Sequence, residues 1–338
     1  MSKRKLTRRQ AWRIEKIQKE REERAAKRDQ RADDKLGESN LGPEQSGLIV
    51  THYGTQVMVE DTATGEAKRC HFRSNLGGLV TGDRVAWRDG NPYGVVVARS
   101  ERETALMRPD PYGAMKTVAA NIDRIVIVIA PYPEPHFNLI DRYLVAAEAI
   151  GIEPALVINK IDLIDDNQRA KVESIHTLYQ ELGYQVILAA AKEDQGLKPL
   201  REYLAHFTSV FVGQSGVGKS SLVNALLPEV NSRVGDLSER LTGTHTTTSA
   251  QLYHILTGGE LIDSPGIREF GLWHIEPDDV LAGFKEFRPF IGACKFRDCS
   301  HTVEPGCAIL QALEDGKISP GRLASYRHIL ADLHPGRA

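Results

Sequence analysis

Residues Gly213, Gln214, Ser215, Gly216, Val217, Gly218, Lys219 and Ser220 fit the spacing G-x-x-x-x-G-K-[ST] at every fixed position. That spacing suits a phosphate chain. Glycines let backbone N–H groups close around phosphate oxygens, and a helix starting at the lysine adds its dipole. Lys219 would compensate charge on the β- and γ-phosphates during chemistry, the Ser220 hydroxyl would bind Mg²⁺, and Ser221 would complete the cradle. The context is the required one, a buried strand SVFVG before the loop and a helix from Lys219 after it.

A second cluster, Asn159-Lys160-Ile161-Asp162, reads as N-K-x-D after the apolar strand PALVIN. A carboxylate at Asp162 can accept from guanine N1 and N2, a donor pair that adenine lacks. Asn159 would hold the base edge and the loop, and the Lys160 stem would lie over the ring. Asp263-Ser-Pro-Gly266 reads as D-x-x-G: Asp263 would hold Mg²⁺ through water, and the Gly266 N–H would meet the γ-phosphate. Between them lies Thr244-His245-Thr246-Thr247-Thr248, from which one threonine, assigned here as Thr247, would cap Mg²⁺ and the γ-phosphate. The residue after D-x-x-G, where a water-positioning Gln is usual, is Ile267. His245 is the nearest replacement by sequence logic, since imidazole can orient or deprotonate water near neutral pH; the alternative is a solvent-facing loop residue.

The order is unusual, because N-K-x-D at 159 precedes the phosphate loop at 213. The elements still converge if the chain is circularly permuted. D-x-x-G then leads straight into the C-terminal segment. That segment holds a third cluster, Cys294, Cys299, His301 and Cys307, three of the four cysteines and a histidine within fourteen residues. Thiolates and imidazole in fours suit a closed, structural, tetrahedral Zn²⁺ site, which would fix a small loop-rich domain lacking a core of its own. Cys70, alone on a strand, reads as a small packed residue.

Elements must position these clusters. Residues 47–105 contain five short strand patterns separated by Gly, Asn, Asp and Pro, a small barrel of OB-fold, SH3-like or sandwich type. Leu106–Gly113, with Pro109 and Pro111, reads as a boundary. Residues 117–275 alternate buried strands with helices, which predicts a mainly parallel sheet covered on both faces. Residues 276–338 read as helices around the Cys/His cluster. Residues 1–46 form an arm and linker: the first 35 residues carry 14 Lys/Arg and 7 Asp/Glu, while the whole chain of 338 residues has net charge −2. The arm is either a polyanion-binding segment or a solvated charged helix. There is no apolar run of membrane-spanning length and no secretory signal pattern, and four cysteines fit a reducing cytosol.

The permuted order together with GQSGVGKSSL (213–222), THTTT (244–248), IDSPGIREFGL (262–272) and CKFRDCSHTVEPGCA (294–308) resembles the RsgA (YjeQ) family of circularly permuted small-ribosomal-subunit biogenesis GTPases, over about residues 45–333. The resemblance implies a multidomain α/β chain: an N-terminal OB-fold barrel, a permuted P-loop GTPase domain and a C-terminal helical zinc-binding domain. It implies GTP hydrolysis to GDP stimulated by the small ribosomal subunit, rRNA contacts from the outer domains, one structural zinc, Mg²⁺ with GTP, and a cytoplasmic monomer without membrane contact. It supports the nucleotide and zinc residues named above and puts His245 where the family's proposed catalytic histidine lies. One departure is Ala190-Ala191-Lys192, where many GTPases have Ser-Ala-Lys; a backbone N–H at Ala190 would still reach guanine O6. From another class, the chain could be an RNA-binding adaptor with a slow nucleotide switch, against which intact Lys219, Ser220 and Asp263 argue. The acidic body argues against a zinc-dependent DNA-binding regulator.

Overall fold

A computed structural model describes residues 41–73, 76–110, 113–227, 250–264 and 275–333. The basic arm, the threonine loop with His245 and Thr247, and Gly266 with Ile267 lie outside the described residues. The chain divides into two compact units between Glu101 and Arg102.

The first unit is a closed five-stranded barrel. Its strands are β1 (Glu44–His52), β2 (Gln56–Asp61), β3 (Ala67–Phe72), β4 (Arg84–Arg88) and β5 (Gly94–Arg99). They run in the order β1-β2-β3-β5-β4, and β4 pairs back onto β1. Only β3–β5 is parallel, the pattern of an OB-type barrel. Period-two alternation drives Val57 and Val59 of β2 inward, where they meet Ile49, Cys70, Val85, Trp87 and Val96. Closure needs glycine at Gly47, where a Cβ would stand 2.4 Å from Val59 Cγ1 and 2.7 Å from Trp87 Cδ1. Cys70 is fully buried, and burial pushes its thiol up to about 12, so it stays a protonated packing group.

The second unit opens with a hairpin, β6 (Ala105–Pro109) against β7 (Met115–Ala120). The reading of Leu106–Gly113 as a boundary gives way here: Pro109 ends β6, where the strand no longer needs its N–H, and pairs with Met115 of β7. Six strands follow: β8 (Arg124–Ile129), β9 (Glu153–Ile158), β10 (Gln185–Leu188), β11 (Thr208–Val212), β12 (Gln251–His254) and β13 (Glu260–Asp263). Their order is β10-β9-β8-β11-β13-β12, parallel throughout except for β12. β8 and β9 are buried over nearly their whole length, as continuous apolar runs require when helices cover both faces. Those helices are α1 (Phe137–Ala149), α2 (Asp166–Glu181), α3 (Asp194–Leu204) and α4 (Lys219–Leu226).

The C-terminal segment comprises α5 (Pro277–Gly283), a 3-10 helix Lys285–Phe290, α6 (Ala308–Glu314) and α7 (Pro320–Leu333). The expectation that it lacks a core is corrected. Val280, Phe284, Phe287, Ile309, Ile318, Leu323, Tyr326 and Ile329 are buried together, and Val145 of α1 joins them. Amphipathic helices bury one stripe each, and here the stripes meet each other and α1. A cluster of charge crosses the same junction. Arg322 of α7 is 2% exposed and ion-pairs with Asp141 of α1, 1% exposed, and with Glu286 at 2.6 Å.

Candidate nucleotide site and metal centre

Because β8, β9, β10, β11 and β13 are parallel, the loops after them emerge at one edge of the sheet, where open α/β sheets place ligands. Three of the sequence-derived clusters lie there: Gly213–Ser220 after β11, Asn159–Asp162 after β9, and Asp263 at the end of β13, with Ala190 after β10.

The phosphate loop takes the conformation its glycines allow. Gly213 has φ 136°, and a Cβ there would lie 2.2 Å from Val128 O. Gly218 has φ 95°, and a Cβ would lie 2.4 Å from Asn159 Nδ2. Both positions exclude any larger residue by two independent clashes, backbone and contact. Lys219 begins α4, and its Nζ donates to Gly213 O and Gln214 O, each at 2.7 Å, so its charge sits across the mouth of the loop. Gln214 is half-buried, whereas Ser215, Gly216, Ser220 and Ser221 are exposed and can meet a ligand; Val217 is buried under the loop.

The N-K-x-D cluster is joined to that loop. Asn159 is fully buried, and its Nδ2 donates to Val217 O at 2.9 Å. Among the described residues its Oδ1 is buried with no hydrogen-bond partner, an acceptor beside the loop. Lys160 sits at φ 61°, and its Nζ donates to Gly216 O at 2.6 Å and to Tyr132 O at 2.9 Å. Asp162, on the 3-10 turn Ile161–Leu163, is exposed beyond them. Asp263 is half-buried, and Ser264 beside it is 5% exposed. One sequence expectation changes: the Ala190 N–H is taken by Gly196 O at 3.2 Å. Tyr132, which ties the β8–α1 loop to Lys160, was not singled out in the sequence; nothing in its spacing marks it.

The Cys/His cluster gathers its four donors in one place. Donor atoms of Cys294, Cys299, His301 and Cys307 all lie within 4.8 Å of one another. Cys294 Sγ is 3.9 Å from Cys307 Sγ and 3.6 Å from His301 Nδ1, which is 3.3 Å from Cys307 Sγ. A tetrahedron with metal–sulfur bonds of about 2.3 Å has edges of about 3.8 Å, so three thiolates and one imidazole at these separations can hold a metal ion. Burial lowers the His301 pKa, which favours the neutral imidazole that a metal needs.

Two residues absent from the sequence reading shape this loop. The Glu304 carboxylate accepts from the Ser300 N–H at 2.8 Å, Thr302 N–H at 2.9 Å and Val303 N–H at 3.1 Å, as well as from the Ser300 hydroxyl. Those bonds hold its pKa well below the usual carboxylate range. Arg327 of α7 donates to His301 O at 2.8 Å and Thr302 O at 3.2 Å. Together they hold the turn in which His301 adopts φ 58°. Glu304 sits three residues before Cys307, the one signal that could have drawn attention to it.

A central strand ending in a phosphate loop, with N-K-x-D packed on it from a strand earlier in the chain, defines a circularly permuted P-loop GTPase domain, here with a barrel before it and a Cys/His-bearing helical segment after it. The family model described as RsgA GTPase matches residues 99–273. "Small ribosomal subunit biogenesis GTPase RsgA" of Pseudomonas aeruginosa (strain LESB58) is 60% identical over 335 residues, 98% of each chain. The crystal structure of YjeQ from Thermotoga maritima superposes with TM-score 0.72 at 33% identity, covering 87% of this chain and 100% of that one. YloQ, described as a circularly permuted GTPase, gives TM-score 0.71 at 29% identity, covering 87% and 96%. The chain belongs to the RsgA GTPase family and is a GTP hydrolase.

Proposed function

We propose that the chain binds the small ribosomal subunit through its rRNA and hydrolyses GTP there during the subunit's late maturation. The carrying observation is the physical junction of base-reading and phosphate-binding loops, through Asn159 to Val217 and Lys160 to Gly216, in a chain so similar to relatives named for small-subunit biogenesis.

In this reading Asp162 accepts from guanine N1 and N2, and Asn159, tied to Val217 O through its Nδ2, holds the base edge and the loop. With Ala190 engaged by Gly196, the next amide, Ala191, faces guanine O6. The backbone amides from Ser215 to Ser221 surround the phosphates, and Lys219 exchanges its carbonyl contacts for phosphate oxygens. Ser220 in the first turn of α4 and Asp263 on the adjacent β13 supply oxygen donors of the hard type that Mg²⁺ prefers, and the ion would neutralise charge developing on the phosphates. Thr247 and Gly266 complete the γ-phosphate contacts, and His245 orients the water that Ile267 cannot. Cys294, Cys299, His301 and Cys307 hold one structural zinc.

The barrel (47–105), the GTPase domain (117–275) and the zinc-bearing segment (276–338) then divide the work. The outer two grip rRNA, with the +7 arm of the first 35 residues adding phosphate contacts, and the middle one turns over. A single chain supplies every proposed donor, so it works as a monomer, in the cytoplasm where ribosomal subunits mature.

The test is steady-state GTP turnover with purified subunits. Free protein should be slow, below about one per second, as in GTPases that await an activator. Small subunits should accelerate it at least about tenfold, roughly 1.4 kcal/mol off the barrier, and added salt should erase the effect. Equal, salt-insensitive turnover with small subunits, large subunits or neither would overturn the proposal.

A further inference from the structure

We propose that Tyr132 is a positioning residue for guanine selection, holding the Lys160–Asp165 segment at both ends so that Asp162 meets the base in register. The inference rests on the reading of Asp162 as the guanine-binding carboxylate.

Asp162 is exposed on a one-turn 3-10 helix, Ile161–Leu163, and a turn that short has little stiffness of its own. A carboxylate that must receive two parallel N–H bonds needs a fixed backbone. At the N-terminal end of the segment, Lys160 Nζ donates to Tyr132 O at 2.9 Å while also donating to Gly216 O of the phosphate loop. At the C-terminal end, the Tyr132 hydroxyl donates to Asp165 Oδ2 at 3.0 Å. Asp165 is the N-cap of α2, and its Oδ1 accepts the Gln168 N–H at 2.9 Å. The phenol therefore fastens to a carboxylate already oriented by a helix. Between the two anchors, among the described residues, the Ile161 N–H reaches outward, to Ala189 O at 3.3 Å.

The loop that carries Tyr132 is itself well seated. Pro133 Cδ would lie 3.6 Å from a Cβ on Gly216, and Glu134 ion-pairs with Lys171 of α2. One residue thus links the phosphate loop, the base-reading turn and α2. Among the described residues the phenol–carboxylate bond is its side-chain contribution to that link, so it can be removed alone.

The experiment compares affinities for GDP and IDP, which lacks the 2-amino group, by titration calorimetry on the full chain. The IDP/GDP dissociation-constant ratio reads the two-point contact of Asp162. Tyr132→Phe deletes one hydrogen bond of ordinary strength, so GDP affinity should fall by about two- to tenfold and IDP affinity by less, lowering the ratio. Asp165→Ser, which keeps an oxygen to cap α2 but is too short to reach the phenol as well, should shift the ratio the same way. Asp162→Asn serves as the reference and should collapse the ratio. If Asp162→Asn collapses it while Tyr132→Phe and Asp165→Ser leave it at the wild-type value, the positioning role is wrong and the base reading stands. If Asp162→Asn leaves it unchanged, the base reading fails and takes the positioning role with it.

Discussion

Arg322→Met is the substitution whose cost the structure defines best. The guanidinium gives Nε to Glu286 Oε1 at 2.6 Å and Nη2 to Oε2 at 3.1 Å, gives Nη1 to Asp141, and lies 4.4 Å from the centre of the Phe284 ring. Asp141 also receives the Tyr179 hydroxyl at 2.5 Å. With Arg322 and Asp141 at 2% and 1% exposure and Glu286 at 10%, water cannot replace the lost cation. Removing one partner of such a buried pair costs about 3–5 kcal/mol, because the carboxylates stay behind uncompensated. For a unit of this size that is a drop of roughly 6–20 °C in the melting temperature.

The pH dependence has a definite sign. Burial raises the Asp141 pKa, and the Arg322 charge opposes the rise. A carboxyl raised in the folded state costs stability when ionised, and the cost is relieved as pH falls through its folded value. Without Arg322 the opposition disappears, so the variant should recover stability from pH 8 to pH 5. The combined variant Arg322→Met, Asp141→Leu, Glu286→Leu, Tyr179→Phe, which also removes the hydroxyl that Asp141 receives, should melt within a few degrees of wild type, since apolar groups can replace a buried ion cluster at little cost. Calorimetric melting across that pH range is the assay. A loss below about 1 kcal/mol at pH 7, or no recovery toward acid, would refute the reasoning.

Asp162→Asn should weaken GTP binding and strengthen binding of xanthosine nucleotides, whose 2-oxo group accepts from an amide; competition binding with both nucleotides checks it. Gly218→Ala should reduce nucleotide affinity at least about tenfold, because the new methyl meets Asn159 Nδ2 at 2.4 Å in a backbone at φ 95°; the same titration reads it. Freshly purified protein should carry about one zinc per chain by elemental analysis, and Cys299→Ser should lose it. The helices around Phe284 and Tyr326 should survive that loss, since they share an apolar core with α1, so helical circular dichroism should change little. His245→Ala should lower turnover far more than nucleotide affinity; a fall in affinity with normal turnover of bound GTP would make it a binding residue.

Short, local signals made much of this protein legible from its sequence. The phosphate loop, N-K-x-D, D-x-x-G and the Cys/His cluster are each a few residues long. Their chemistry depends on residue type at fixed spacing, so Gly213, Asn159, Asp263 and Cys294 could be assigned roles before any fold was known. Unbroken apolar runs such as Arg124–Ile129 and Glu153–Ile158 likewise specify strands buried on both faces. What the tertiary structure alone decided lies between segments far apart in the chain. Pro109 reads as a breaker until β7 is seen to pair with β6. By its place in the sequence the Ala190 amide is open to a ligand, whereas in the fold it is taken by Gly196 O. Tyr132 meets Lys160 and Asp165 across a sheet edge, and Arg322 meets Asp141 across 181 positions of sequence. Such contacts leave no periodicity or motif, because the energy of a buried charge or a clasped loop belongs to the partners that folding brings together, not to either residue's own neighbourhood.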